Sequence, residues 1–237
     1  MILFYIRHGD PIYNPDSLTP LGKRQAEALA KRLAIYGIDK VFCSTSNRAI
    51  ETAKPTCELL KLEPELLDFC NEGHAWNDLT VEAEHGKQWV FHNRKYRLAM
   101  TDVCADGKSH EWYKQPAFKD VDFKKGLDRI TAESDKWLLS LGYRHIKKSG
   151  RYEVVEPNEK RIALFAHQGF GLAFLSCILD IPYNIFSNHF DFGHSSMTVI
   201  EFKNEGDIAI PKVLTLSSDS HLYREGLPLK YNNFINF

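Results

Sequence analysis

The feature that most constrains this chain is its first six residues. Met-Ile-Leu-Phe-Tyr-Ile runs over residues 1–6 without a polar interruption and stops at Arg7-His8-Gly9-Asp10-Pro11. A short apolar run bounded by turn residues describes a strand buried on both faces, the kind found inside a parallel sheet covered by helices. Such a strand belongs at the centre of its sheet, because an edge would leave a row of backbone groups unpaired. A second run, Ile162-Ala163-Leu164-Phe165-Ala166, ends in the same manner at His167-Gln168-Gly169. Two buried strands, each closing on a polar turn, make an α/β fold the expectation.

Helical patterns fill the intervals. Thr19 offers a cap and Pro20 the first helical position, and Leu21, Leu29, Leu33 and Tyr36 share one face before Gly37. Residues 40–43 read as a second short strand, and Ser44 to Asn47 lead into a helix carrying Ile50, Ala53, Leu59 and Leu60. Residues 123–141 and 171–179 give two further helices, and 197–202 and 212–216 two further strands. Between the halves, residues 81–122 are rich in aromatics and charge but poor in strand periodicity, which predicts a helical insertion serving as a lid or excursion. Residues 142–160 read as a loop or hairpin. With 237 residues and 43% hydrophobic content, one domain over 1–237 can build its own core. The expected architecture is a three-layer α/β sandwich around a mostly parallel central sheet.

Charge narrows the partners. Thirty Lys and Arg against 31 Asp and Glu leave a net charge of -1, so nothing favours nucleic acid or an anionic membrane, and any anion site must be local. The N-terminal apolar run is too short for a secretory leader and no segment is long enough to span a bilayer, which makes a cytoplasmic protein the expectation. Five cysteines with no Cys-x-x-Cys pair suit a reducing compartment rather than a disulfide framework or a zinc site.

The chemistry gathers at the strand ends, where open α/β sheets bind their ligands. Arg7 and His8 follow the first strand, Arg48 opens the helix after the second, and His167 precedes a helix whose first backbone amides favour anions. Two Arg, two His and helix amides suit a dianionic phosphoryl group, and an imidazole nitrogen beside it can attack phosphorus.

These residues resemble the histidine phosphatase superfamily, the phosphoglycerate mutase-like family. The resemblance rests on four ordered segments: Arg7-His8-Gly9-Asp10 with Asn14; Thr19-x-x-Gly22-x-x-Gln25-Ala26; Ser44-Thr45-Ser46-Asn47-Arg48-Ala49-x-x-Thr52-Ala53; and Phe165-Ala166-His167-Gln168-Gly169. It implies a metal-independent, cofactor-free phosphatase of the histidine acid type acting on a small phosphorylated substrate. His8 would become phosphohistidine, Arg7, Arg48 and His167 would hold the phosphoryl oxygens, Asn14 would add a polar contact, and Gln168 would offer its backbone amide. The resemblance also implies an acid that protonates the leaving oxygen, expected within Asp68-Phe69-Cys70-Asn71-Glu72-Gly73-His74-Ala75-Trp76. Glu72 is the first choice, with Glu82 and Asp78 in reserve, because the family's spacing to the following Gly and Trp is not reproduced.

Two other activities fit the same cradle: a mutase of the phosphoglycerate type and a noncatalytic phospho-ligand module. The mutase is disfavoured by the short segment of four residues between Asn14 and Thr19. His189, Asp191 and His194 have no familiar metal-site spacing and read as a packed loop. The aromatics of 81–122 could stack a nucleoside or sugar, but at irregular spacing they are more often expected to cover a core or a homodimer contact, and that segment, with 142–160, is expected to select the substrate.

Overall fold

In the computed structural model, which describes residues 1–104 and 109–229, strand β1 (Ile2–Arg7) occupies the fourth place in an eight-stranded sheet. Its central position follows from the apolar run. The chain continues through a small hairpin of β2 (Pro11–Tyr13) and β3 (Asp16–Leu18), helix α1 (Pro20–Tyr36), β4 (Lys40–Ser44), α2 (Asn47–Leu60), β5 (Pro64–Leu67) and α3 (Glu72–Leu79). A second hairpin, β6 (Thr80–Ala83) and β7 (Gly86–Trp89), precedes α4 (Arg94–Asp102) and α5 (Phe123–Ser140). The final third holds β8 (Tyr143–Ile146), β9 (Arg151–Val154), β10 (Arg161–Ala166), α6 (Gln168–Ile178), α7 (Tyr183–His189), β11 (Met197–Glu205), β12 (Ile208–Ser218) and α8 (Ser220–Arg224).

The sheet order is β5-β4-β10-β1-β11-β12-β9-β8. The first four strands are mutually parallel, and β11 and β9 are the two that run against the rest. Successive residues of β1 alternate between two cores: Leu3 and Tyr5 face one, Phe4 and Ile6 the other. Strand β10 repeats this with Ile162 and Leu164 against Ala163 and Phe165. Helices α1 and α2 cover the second face with Leu29, Leu33, Ala53 and Cys57, while α3, α5 and α6 cover the first with Leu79, Ile130, Leu138 and Phe174. This is the three-layer sandwich, and period-two strand geometry explains why both faces had to be apolar.

Local signals act where the sequence placed them. Thr19 Oγ1 accepts from Gly22 N at 3.0 Å with Pro20 at the start of α1, and Gly37 closes the helix at φ 70°. Gly9 and Gly22 also permit a close crossing of the β1 exit and α1, since a Cβ on Gly9 would lie 2.8 Å from Gly22 O. Segment 81–122 carries α4 and 3-10 turns, but it is entered through the β6–β7 hairpin, whose four-residue strands are too short to show periodicity. Residues 105–108 of that segment lie outside the described residues. Segment 142–160 forms the β8–β9 hairpin at the sheet edge. All five cysteines are free thiols, and among the described residues no helix is long and apolar enough to cross a membrane.

The β8–β9 hairpin is tied to the body by His145, whose side chain is 2% exposed. Nδ1 lies 2.7 Å from Asp135 of α5 and Nε2 lies 3.1 Å from Asp180 after α6. Asp180 Oδ2 also accepts from the Ser149 and Gly150 amides, each at 2.8 Å. Burial alone would lower the imidazole pKa, but the Asp135 hydrogen bond and both carboxylates outweigh it and hold it above 6.5. The sign follows: His145 contributes fully below pH 6.5, and its contribution is lost as pH rises through the raised folded value. The unfolding temperature should therefore fall on the alkaline side of that value. His145→Ala should cost about 2 kcal/mol below pH 6.5 and flatten this slope; an unchanged slope in the variant would assign the pH dependence elsewhere.

Candidate active site

A cavity of about 660 Å³ opens at the carboxyl ends of β1, β10, β4 and β5. Parallel strands place their exits side by side, so four segments distant in sequence converge here. Arg7, His8, Arg48, Glu72 and Gln168 line it, and His167 lies directly behind, its ring centroid 5.2 Å from that of His8.

His8 is 3% exposed, and its Nδ1 lies 2.7 Å from Gly9 O. A carbonyl can only accept, so Nδ1 carries the proton and Nε2 keeps its lone pair. Burial first, then His167, Arg7 and Arg48, push the His8 pKa well below 6.5 and keep the imidazole neutral. The loop that holds it is pinned at three points: Gly9 N donates to Thr52 Oγ1 at 3.0 Å, Asp10 N to Gln25 Oε1 at 2.8 Å, and Ser195 N to His8 O at 2.9 Å.

The cations are held as firmly. Arg7, 4% exposed, donates to Phe192 O and, at 2.7 Å, to His194 Nε2. Burial lowers its pKa to about 10, which still leaves it charged. Arg48, in the first turn of α2, pairs with Asp16 at 2.8 Å, and Asp16 Oδ2 accepts from Asn47 N at 2.8 Å. His167 caps α6 from extended backbone, with Nε2 2.7 Å from Ser44 Oγ. Burial, then Arg48 and Arg7, push its pKa well below 6.5 as well.

Glu72 reaches the site from α3. Asn71 caps that helix, accepting from Gly73 N at 2.9 Å while donating to Thr45 Oγ1 at 2.8 Å, so the helix start is moored to the β4–α2 loop. Glu72 Oε1 accepts from Gly169 N at 2.9 Å, and Oε2 lies 3.5 Å from His167 Nδ1. The other two carboxylates stand elsewhere: Asp78 pairs with Arg129 at 2.7 Å and Glu82 is exposed opposite Lys87 in the β6–β7 hairpin.

Of the residues singled out in the sequence, Arg7, His8, Arg48, Glu72, His167 and Gln168 are brought together. Gln168 contributes from the first turn of α6, where backbone N–H groups have no intrahelical acceptor, and its side chain donates to Asp191. Asn14 is not brought to the cavity and corrects the expectation made for it. It sits exposed in the two-residue turn between β2 and β3, and Tyr13 and Asp16 on either side of that turn line the cavity instead. Segment 142–160 contributes no lining residue because the β8–β9 hairpin lies at the far edge of the sheet, and of 81–122 the described residues contribute Trp89.

Ser44 and Thr52 stood in the quoted segments without a role, and their hydroxyls orient His167 and the His8 loop. Asp16 and Trp76 had no local signal of their own, whereas Trp89 belongs to the aromatic segment 81–122 expected to select the substrate; chain-distant packing brings all three here. His194 Nε2 accepts from Arg7, Asp191 Oδ1 accepts from Phe192 N at 2.7 Å, and His189 is exposed. Among the described residues no group of three or more His, Cys, Asp or Glu side chains could hold a metal.

Comparison with known proteins adds a family to this geometry. The model of the histidine phosphatase superfamily (branch 1) matches residues 3–114. A "Probable phosphatase" of Schizosaccharomyces pombe is 37% identical over 75 residues, covering 28% of this chain and 34% of that protein, so the chain matches about a third of the length of that relative. Among solved structures, phosphoserine phosphatase of Entamoeba histolytica superposes with a TM-score of 0.60 at 17% identity, covering 93% of this chain and 98% of that one. A mycobacterial glucosyl-3-phosphoglycerate phosphatase gives 0.59 at 18% identity over 92% and 98%. The alpha-ribazole phosphatase of Shigella flexneri gives 0.59 at 17% over 92% and 97%. At these identities the superpositions establish a shared fold, and the segment over which the chain matches the histidine phosphatase superfamily model, residues 3–114, carries Arg7, His8, Arg48 and Glu72 of the cavity.

Proposed function

We propose that the protein is a metal-independent phosphomonoester hydrolase of the histidine acid type that works through a phosphohistidine on His8. The observation that carries this reading is the His8 tautomer: Nδ1 is bound to Gly9 O, and a neutral Nε2 remains beside two arginines. Nε2 forms the bond to phosphorus as the ester P–O bond breaks. The leaving oxygen takes its proton from Glu72, while the Nδ1–H···O=C bond supports the positive charge arriving on the ring. Water then forms the new P–O bond, loses its proton to Glu72, and the P–N bond breaks. Arg7, Arg48, His167 and the Gln168 amide hold the equatorial oxygens throughout. Attack by water rather than by a second substrate hydroxyl agrees with the short β2–β3 hairpin over the cavity.

Fixed guanidinium groups supply the positive charge for which other phosphatases recruit ions. Phosphate release from p-nitrophenyl phosphate should therefore persist at full rate after exhaustive chelation. Loss of activity on chelation, with rescue by a divalent cation, would contradict the proposal.

A further inference from the structure

Outside the phosphoryl cradle, the same cavity has an outer part, called its outer compartment, whose lining includes Tyr13, Asp16, Asn47, Asn71, Trp76 and Trp89. Its position relative to the acid is fixed by Gly169. A Cβ at that glycine would lie 2.6 Å from Glu72 Oε1 and would also run into the six-membered ring of Trp89. Carboxylate and indole thus meet over one residue. Trp76, four residues after Glu72 and on the same face of α3, packs edge-on against Trp89 at 4.9 Å and 90°. Trp89 is backed in turn by Phe91, stacked at 5.4 Å and 19°. A leaving oxygen that reaches Glu72 must carry its carbon skeleton out along this aromatic wall.

The charge of the compartment is equally specific. Among the described lining residues outside the cradle there is no Lys or Arg, and the one ionised group is Asp16. Both oxygens of Asp16 are already engaged, by Arg48 and by Asn47 N. A carboxylate or second phosphate on the substrate would find no cation beyond those of the cradle, of which Arg48 is already paired with Asp16. Hydroxyl groups would find the Asn47 and Asn71 amides, and a flat ring face would find indole.

Resting on the phosphohydrolase reading above, we infer that this compartment selects phosphomonoesters of uncharged ring alcohols. These are sugar or nucleoside monophosphates whose only anionic group is the phosphoryl being transferred, and phosphorylated acids and bisphosphates are discriminated against.

The test compares kcat/KM of the protein for adenosine 5′-monophosphate, glucose 6-phosphate, 3-phosphoglycerate and fructose 1,6-bisphosphate, with acetyl phosphate as a small substrate that touches only the cradle. One of the two uncharged ring monoesters should exceed both polyanionic substrates by about 10²-fold, and whichever ring leads names the alcohol. Trp89→Ala, with Trp89→Leu as the variant that keeps bulk, should lower the leading ring substrate about tenfold or more while acetyl phosphate is spared. Asn47→Lys should raise 3-phosphoglycerate relative to the ring substrate by about tenfold.

A preference for 3-phosphoglycerate or the bisphosphate, or a ranking indifferent to both Trp89 variants, would overturn the inference while leaving the catalytic reading intact. Failure to hydrolyse even acetyl phosphate would instead defeat the catalytic reading. In that case the quenching of tryptophan fluorescence still ranks binding: tighter adenosine monophosphate than 3-phosphoglycerate supports the compartment, and the reverse order refutes it.

Discussion

Replacing His8 with Ala should lower phosphate release by about 10⁵- to 10⁶-fold, the loss seen when a covalent nucleophile is removed, while orthophosphate or vanadate still binds. The two outcomes separate because the cradle does not depend on His8. Arg7 is held by Phe192 O and His194, Arg48 by Asp16, and His167 by Ser44. Among the described residues, the His8 side chain hydrogen-bonds to the adjacent Gly9 carbonyl alone. Anion affinity should therefore stay within about tenfold of the parent, the worth of one hydrogen bond. The depressed His8 pKa adds a pH signature. The nucleophile is neutral down to well below pH 6.5, so kcat/KM should show no acid limb from His8 at or above that value. Near-parent activity in His8→Ala would end the covalent scheme.

Glu72→Gln should separate substrates by leaving group. An alkoxide is strongly basic and needs a proton as the P–O bond breaks, whereas nitrophenolate departs unaided. Alkyl phosphates should slow by roughly 10²- to 10⁴-fold, and phosphorylation by p-nitrophenyl phosphate much less. Because the same carboxylate is assigned to activate water, the variant should show a burst of nitrophenolate followed by slow turnover. Glutamine keeps an acceptor for Gly169 N, the 2.9 Å bond that orients the side chain, so a folding defect is not expected. A uniform small loss without a burst would remove Glu72 from the acid role. Asp78 and Glu82 would be poor replacements, one locked to Arg129 and the other exposed on the β6–β7 hairpin.

How much of this was legible in the sequence depends on the range of the forces involved. The β1 and β10 runs announced themselves because both faces of a central strand must be apolar, and α1 because its caps are local in sequence. The four basic residues were legible because each directly follows a strand or opens a helix, so position along the chain fixes position at the sheet edge. Glu72 could be nominated but not distinguished from Asp78, since its selection rests on Asn71 mooring α3 to Thr45 and on Gly169 arriving from almost a hundred residues away. Asn14 was misjudged for a geometric reason: a two-residue turn puts its own residues at the tip, and the flanking Tyr13 and Asp16 border the cavity. Trp89 was legible only as one aromatic of the 81–122 segment and not as a wall of the cavity, because the four residues each of β6 and β7 carry too little alternation to be read as strands. The reversed direction of β11 was equally silent, because apolar content does not encode strand polarity.

The most direct measurement is chemical identification of the intermediate. Mixing the protein with ³²P-labelled substrate, quenching in alkali within milliseconds and digesting should yield one labelled peptide containing His8. Its label should be stable to base, lost in acid and absent from His8→Ala. Stoichiometric label should appear before steady-state phosphate and chase away with unlabelled substrate at the turnover rate. Turnover without any base-stable label, or label that persists in His8→Ala, would contradict a phosphohistidine on His8.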